Sequence, residues 1–219
     1  LNMFLEIHIN IKTILIFLII LLIVILVLFA LYNIVKDDKK QNFSIKGKDG
    51  INYKVKKYKD AKKAAILLTE VNNRTMKFMQ LLKNLDLMGT NFAVEKIRLL
   101  ENYNPDELRE NIPNIINPIT SYTYDKGKFI KLCIRDKKTK KLHDINTIMF
   151  VKLHELAHIA TERGKEEHGK DFWSNFKTIL YISQLDDNPI INLINYKLYP
   201  IYYCGMKITH NPYFDEQIE

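Results

Sequence analysis

The residues of this sequence with the clearest chemical meaning lie between positions 154 and 158. His154 and His158 are four residues apart, and Glu155 directly follows the first histidine. On a helix this spacing puts both imidazoles on one face, where they can share a metal ion, with the carboxylate within reach of a metal-bound water. The pattern predicts a zinc site with His154 and His158 as ligands and Glu155 as general base. The alternative is a helix with two solvated histidines.

A zinc site that hydrolyses peptides needs a third protein ligand and an open fourth position for water. His168 is the best candidate, because a chain that turns at Gly164 can bring the start of the next helix back over the first. The alternative for His168 is a solvated position in a charged loop. Weaker spacing arguments apply to the other candidate ligands: Glu162, Glu166, Glu167, His143 and His210. His8 precedes a long apolar segment and is out of reach.

The segments HELAH and HGKDFW carry a family resemblance, with nine residues between the second and third histidines. Over about residues 144–176 the chain resembles the WLM and SprT-like zinc metallopeptidases. The resemblance implies a zincin-like fold, Zn²⁺ bound by His154, His158 and His168, Glu155 as general base, and a protein or peptide substrate. The segments SYTYDKGKFIKLCIR and YCGMKITHNPYF are similar to parts of membrane-anchored metalloproteases of large DNA viruses. Because the related soluble enzymes are linked to proteolysis of DNA-bound proteins, nucleic acid is a further candidate partner.

Several helices and a small sheet are needed to position these residues. Apolar spacing and capping residues predict helices over about residues 58–85, 92–101, 104–112, 144–162 and 170–185. β-Branched and aromatic content predicts two strands around Gly127, at 121–124 and 128–135, and the second is the expected edge for an extended substrate. The tail, 199–214, is expected to be irregular. The fold class is therefore α+β, mainly helical with a small sheet.

An uncharged aliphatic segment precedes this domain. Residues 13–32 are long enough, as a helix, to cross a hydrocarbon core of roughly 30 Å, and they lack the small-residue cleavage pattern of a signal peptide. We expect a retained transmembrane anchor over residues 1–35, a polar linker over 36–57 and a metallopeptidase domain over 58–219.

The lysines around the anchor predict its orientation. Lys12 stands alone before it, whereas six lysines follow it closely: Lys36, Lys39, Lys40, Lys46, Lys48 and Lys54. The positive-inside rule then places the carboxy-terminal domain in the cytosol. Two glycosylation tripeptides, beginning at Asn42 and Asn73, point the other way.

The net charge and the cysteine content exclude few classes of function. The net charge of +8 is spread along the chain without an arginine-rich patch, which favours a solvated surface over a nucleic-acid site. Cys133 and Cys204 fit a reducing compartment best, with one bridge between them as the alternative. The predicted function is thus a membrane-anchored zinc metallopeptidase. The alternatives are a non-catalytic, zinc-stabilised membrane or assembly protein and a DNA-associated protease.

Overall fold

The computed structural model of the chain describes residues 11–40, 42–114 and 118–215. The chain divides into two units, Leu1–Asn42 and Phe43–Glu219. The first unit contains one long helix. The second contains the other described helices and all the candidate metal ligands. His8, which is out of reach of these ligands in the sequence-based prediction, lies outside the described residues.

Helix α1, Ile11–Lys40, makes up the described part of the first unit. Within it, Lys12–Asn33 has a mean hydropathy of 3.9, and none of that apolar stretch is buried by the protein. Water is a poor solvent for so many exposed aliphatic side chains. The length and composition of this helix fit both a membrane span and a signal sequence.

A mixed sheet runs through the folded part of the chain. Its strands are β1 (Asn42–Lys46), β2 (Asn52–Lys56), β3 (Leu108–Glu110), β4 (Tyr122–Tyr124) and β5 (Phe129–Leu132). They stand in the order β1-β2-β3-β5-β4, so β4 is an edge strand and β5 is interior. β3 pairs in parallel with β2 and β5, whereas β4 pairs antiparallel with β5.

The same unit contains four helices: α2 (Ala61–Asn84), α3 (Ala93–Asn102), α4 (Ile145–Ala160) and α5 (Lys170–Ile182). Of these, α2 and α4 pack on the sheet. α4 contacts each of the other three as well as β4 and β5. Its residues are buried on nearly every side, from Ile148 and Met149 to Ile159 and Ala160, as expected for a core helix that is apolar around most of its circumference. The helix that carries the predicted metal site is therefore held rigidly by its neighbours.

The α+β prediction is confirmed, with a small mixed sheet and a preceding apolar helix. The helix predicted from Asn104 is wrong. Asn104 does cap a first turn, since its Oδ1 accepts the N–H of Asp106 at 3.0 Å, but that turn is a 3-10 helix of three residues. The chain then enters β3, because Leu108 buries its side chain beside Ile130 in the sheet.

Strands also occur in two segments where none was predicted, the linker and the tail. β1 and β2 lie inside the predicted linker 36–57, because Tyr53 and Val55 alternate with polar residues and bury against α2. In the tail, β6 (Ile201–Tyr203) and β7 (Met206–Ile208) form an antiparallel hairpin. Its turn residues, Cys204 and Gly205, both have positive φ, the conformation that a tight hairpin turn requires.

Of the two interpretations of the cysteines, the structure has the bridged one, because Cys133 and Cys204 form a disulfide. Cys133 directly follows β5 and Cys204 lies in the β6–β7 turn, and their Cα atoms are 6.3 Å apart. That separation is within the range that a disulfide requires. The bridge attaches the hairpin to the end of the sheet.

Candidate metal centre and cleft

The two histidines of α4 lie on the same face near its carboxyl end. The helix starts at a capped amino end, where the Asp144 side chain accepts the N–H of Thr147 at 2.9 Å. Four-residue spacing then brings the Nε2 atoms of His154 and His158 to 3.2 Å from each other. Both imidazoles are partly buried.

His168 reaches the same point from the loop between α4 and α5. The chain leaves α4 at Thr161 and passes through Gly164, whose φ is +84°, a conformation that glycine adopts without strain. His168 then lies two residues before α5, and its Nε2 is 3.2 Å from the Nε2 of His154. The turn at Gly164 thus places the third imidazole beside the first.

The spacing of the three imidazoles fits a zinc ion. Ligand nitrogens about 2.0–2.1 Å from a tetrahedral metal stand about 3.3 Å apart, close to the two Nε2 distances of 3.2 Å. Among the described residues, His154, His158 and His168 are the group of three or more metal-ligating side chains close enough to hold one ion. Three neutral imidazoles with converging lone pairs would repel one another without a shared cation.

Phe172 forms the floor beneath these rings. Its side chain is fully buried, and its ring centroid is 4.8, 4.4 and 4.7 Å from those of His154, His158 and His168. Burial lowers the pKa of His154 to about 3 and that of His158 to about 4, because an apolar setting penalises the imidazolium. Both rings are therefore unprotonated, as metal ligation requires, at neutral pH.

Glu155 directly follows His154 on α4, and its side chain and the three imidazoles line one open cleft. Only 3% of its surface is exposed, and its Oε2 accepts a hydrogen bond from Thr123 Oγ1 at 3.0 Å. Burial raises the pKa of Glu155 to about 7, because the charged carboxylate is poorly solvated there. A carboxyl group with such a pKa can both accept and release a proton near neutral pH.

Two positively charged side chains donate hydrogen bonds to the carboxyl end of α4. Lys126 Nζ donates to the backbone oxygens of His158 and Thr161, each at 2.7 Å, and Arg98 donates to that of Ala160. These carbonyls have no partner within the helix and carry the negative end of its dipole. The two side chains therefore fix the end of the helix that carries His158.

An open cleft of about 950 Å³ contains this site. Its lining includes Tyr122 and Thr123 of the edge strand β4 with the residues before them. The β6–β7 hairpin contributes Tyr203, Met206 and Ile208. One part of the lining is apolar, with Phe150 and Phe176, whereas the loop before α5 adds charges of both signs. The cleft is wide enough for a peptide segment and leaves the three imidazoles accessible to solvent.

Comparison with known proteins identifies the family. The model of the WLM domain matches residues 50–182, more than half of the chain. The chain belongs to the WLM family. The matched range covers most of the sheet, all of α2–α5 and the three histidines, and the family is associated with metallopeptidase-like proteins.

Two viral proteins are similar to this WLM chain. Uncharacterized protein R325 of Acanthamoeba polyphaga mimivirus is 43% identical over 104 residues, which are 48% of this chain and 50% of that protein. Uncharacterized protein 042R of Invertebrate iridescent virus 3 is 53% identical over 45 residues, 20% of this chain and 28% of that protein. The chain thus spans half or less of the length of these relatives. No solved structure gives a significant match.

The other candidate ligands of the WLM domain lie elsewhere. His143 is not part of the cleft lining, and its Nε2 accepts the backbone N–H of Cys204 at 3.2 Å. His210 lines the cleft, but its Nε2 lies 3.1 Å from a carboxylate oxygen of Asp215 and its ring packs against Trp173. Glu162, Glu166 and Glu167 are not in the group of clustered metal ligands among the described residues. Glu166 and Glu167 do line the cleft.

The strand that borders the cleft is not the one expected from the sequence. The expected edge for an extended substrate is wrong, because β5 is interior and β4 forms the edge. Met206 lines the cleft with 52% of its surface exposed. Of the two neighbouring tyrosines, Tyr203 is buried at the cleft whereas Tyr202 is 68% exposed and does not line it.

Sequence reasoning missed Thr123, Lys126 and Arg98. Nothing in their spacing from the histidines indicates a contact, because each reaches α4 across 32 residues or more. A signal for Lys126 lies in the turn: Asp125, Lys126 and Gly127 all have positive φ, and a Cβ at Gly127 would stand 2.4 Å from the Asn102 oxygen. Only glycine fits that position, so the turn packs tightly and Lys126 points at α4.

Proposed function

We propose that this chain is a zinc-dependent peptidase, with Glu155 as general base. The observation that supports it most is the convergence of three imidazole nitrogens, with Nε2 distances of 3.2 Å, in an open cleft that also holds a buried glutamate from the same helix. Three protein ligands with an accessible fourth position are typical of catalytic zinc. A structural zinc site has four protein ligands, which disfavours the non-catalytic alternative.

His154, His158 and His168 would hold the zinc ion. A zinc ion held by these residues would supply a Lewis acid for the scissile carbonyl and would lower the pKa of a bound water towards about 7. Glu155 accepts the proton of the attacking water and delivers it to the leaving amine, a role that suits a carboxyl group with a pKa of about 7. The buried Phe172 keeps the three rings in place.

An extended substrate would pair with the free edge of β4. This strand is at the end of the sheet and borders the cleft, so its outward backbone groups are available to a peptide. Tyr203 and His210 line the same cleft and are the candidates to stabilise the oxyanion. Burial raises the pKa of Tyr203, so its hydroxyl keeps its proton and remains a donor.

The proposal also includes a cellular location and partners. Helix α1 would anchor the enzyme in a membrane, with protein or peptide substrates. The flanking lysines favour a cytosolic domain, whereas the Cys133–Cys204 disulfide favours an oxidising compartment. The charges around the cleft are of both signs, with Asp125, Lys126 and Glu167, and so give no support to nucleic acid as the substrate.

Cleavage assays test the proposal. Full-length chain in detergent, loaded with zinc, is mixed with a fluorogenic peptide library, and Glu155→Gln is compared with wild type. Loss of the general base should lower kcat by about 10²–10⁴-fold, and a chelator should abolish wild-type cleavage. Equal cleavage by Glu155→Gln and wild type would contradict the assignment.

A further inference from the structure

We propose that Thr123 is a positioning residue that holds the Glu155 carboxylate against the edge strand of the cleft. This inference rests on the proposed function, because the position of a general base matters only if the base acts. Thr123 Oγ1 lies 3.0 Å from Oε2 of Glu155 and 3.0 Å from its backbone oxygen. A hydroxyl has one hydrogen to donate, so both acceptors compete for it or share it.

The sheet fixes where Thr123 points. Tyr122 and Tyr124 both pack on Phe129, with ring centroids 6.2 and 4.7 Å from its ring. Because side chains alternate along a strand, Thr123 points to the other face, towards α4. Its partner in the register is the buried Ile130, which pairs with β3 on its other side. The strand therefore has little freedom to move its hydroxyl away from Glu155.

The contact leaves one carboxylate oxygen for chemistry. With Oε2 held by Thr123, Oε1 of Glu155 is available to take a proton from water. Glu155 is almost fully buried, so the hydroxyl also replaces solvation that the carboxylate would otherwise lack. Without this contact the carboxylate can rotate about its terminal bond, and a displacement of about 1 Å can cost 10²-fold in rate.

The same strand would hold the substrate. β4 contains three residues, and its free edge borders the cleft. β4 would thus position both the bound peptide, by backbone pairing, and the general base, through Thr123. Thr123 would set the distance between the scissile bond and the carboxylate, and its loss should affect kcat more than KM.

The test compares Thr123→Val with Thr123→Ser in the full-length chain in detergent. Valine keeps the shape of threonine without its hydroxyl, and serine keeps the hydroxyl. We expect Thr123→Val to lower kcat roughly 10–100-fold with zinc content and KM unchanged, and Thr123→Ser to restore kcat to within about threefold of wild type. The matched control is Thr69→Val, which loses a buried hydroxyl bonded to the Ala65 oxygen in α2, away from the cleft. It should leave kcat unchanged.

Two outcomes overturn the inference alone: wild-type kcat in Thr123→Val, or equal losses in the valine and serine variants. Glu155→Gln is assayed on the same peptides. If wild type and Glu155→Gln cleave equally, or neither cleaves, the proposed function fails, and the kinetic role of Thr123 fails with it.

A second readout needs neither zinc nor activity. Thr123→Val should lower the denaturant midpoint of the chelator-treated protein, and this shift should largely disappear in a Glu155→Ala background. An equal shift in both backgrounds would mean that the hydroxyl serves the Glu155 backbone oxygen instead, which overturns the positioning role.

Discussion

The disulfide between Cys133 and Cys204 should supply much of the stability of the domain. The bridge joins residues 71 positions apart and encloses α4, α5 and all three clustered histidines. In the chain-entropy relation, closing a loop of this length destabilises the unfolded chain by about 4 kcal/mol at 25 °C. Since whole domains have about 5–15 kcal/mol of stability, the Cys133→Ala/Cys204→Ala variant should be much closer to unfolding.

Trp173 provides a local probe for this measurement. It is the single tryptophan of the chain and lies beside His168 and His210 at the cleft, so its fluorescence follows the domain without a contribution from α1. Denaturant titrations of the full-length protein in detergent should show a loss of about 4 kcal/mol in the double variant. Reductant should shift wild type similarly and leave the double variant unchanged. Free thiols in the native protein, or a loss below about 1 kcal/mol, would refute this account.

Variants of two lysines and two histidines test the helix and its metal ligands. Lys152 is fully buried, its Nζ has no hydrogen-bond partner among the described groups, and burial lowers its pKa to about 7. Because the unfolded chain binds this proton more tightly, wild type should lose stability as the pH falls from about 10 to about 7. Lys152→Met should remove that slope and add on the order of 3 kcal/mol at pH 7, measured by Trp173 fluorescence; an unchanged slope would contradict this. Lys126→Met should cost about 1–2 kcal/mol by uncapping α4, and Lys126→Arg much less; equal losses would argue against the cap. His168→Ala should weaken zinc binding at least about 100-fold in competition titrations, while His210→Ala binds normally; equal affinities would exclude His168 as a ligand.

Local patterns in the sequence predicted the elements that depend on neighbouring residues. The four-residue spacing of His154 and His158 indicates a helical face, and the Gly164 turn indicates that the chain reverses before His168. Both features follow from backbone geometry within a few residues. Helices α2 to α5 were predicted for the same reason, since their apolar periodicity is local.

Contacts between distant segments were not predictable in this way. Nothing local distinguishes a reduced Cys204 from one paired with Cys133, because the pairing depends on where the hairpin packs. Edge pairing with a substrate was expected at the strand near 129–134, yet the parallel pairing of that strand with β3 makes it interior. Leu108 was read as part of a helix after Asn104, since a three-residue strand has too few positions to show its alternation.

X-ray absorption at the zinc edge tests the central claim most directly. Purified full-length protein is loaded with one equivalent of zinc, and the metal's coordination shell is measured for wild type and His168→Ala. The account predicts three imidazole nitrogens and one water oxygen at about 2.0–2.1 Å in wild type, with one imidazole fewer in His168→Ala. A wild-type shell that contains sulfur, four imidazoles, or the same imidazole count as His168→Ala would contradict a catalytic site built from His154, His158 and His168.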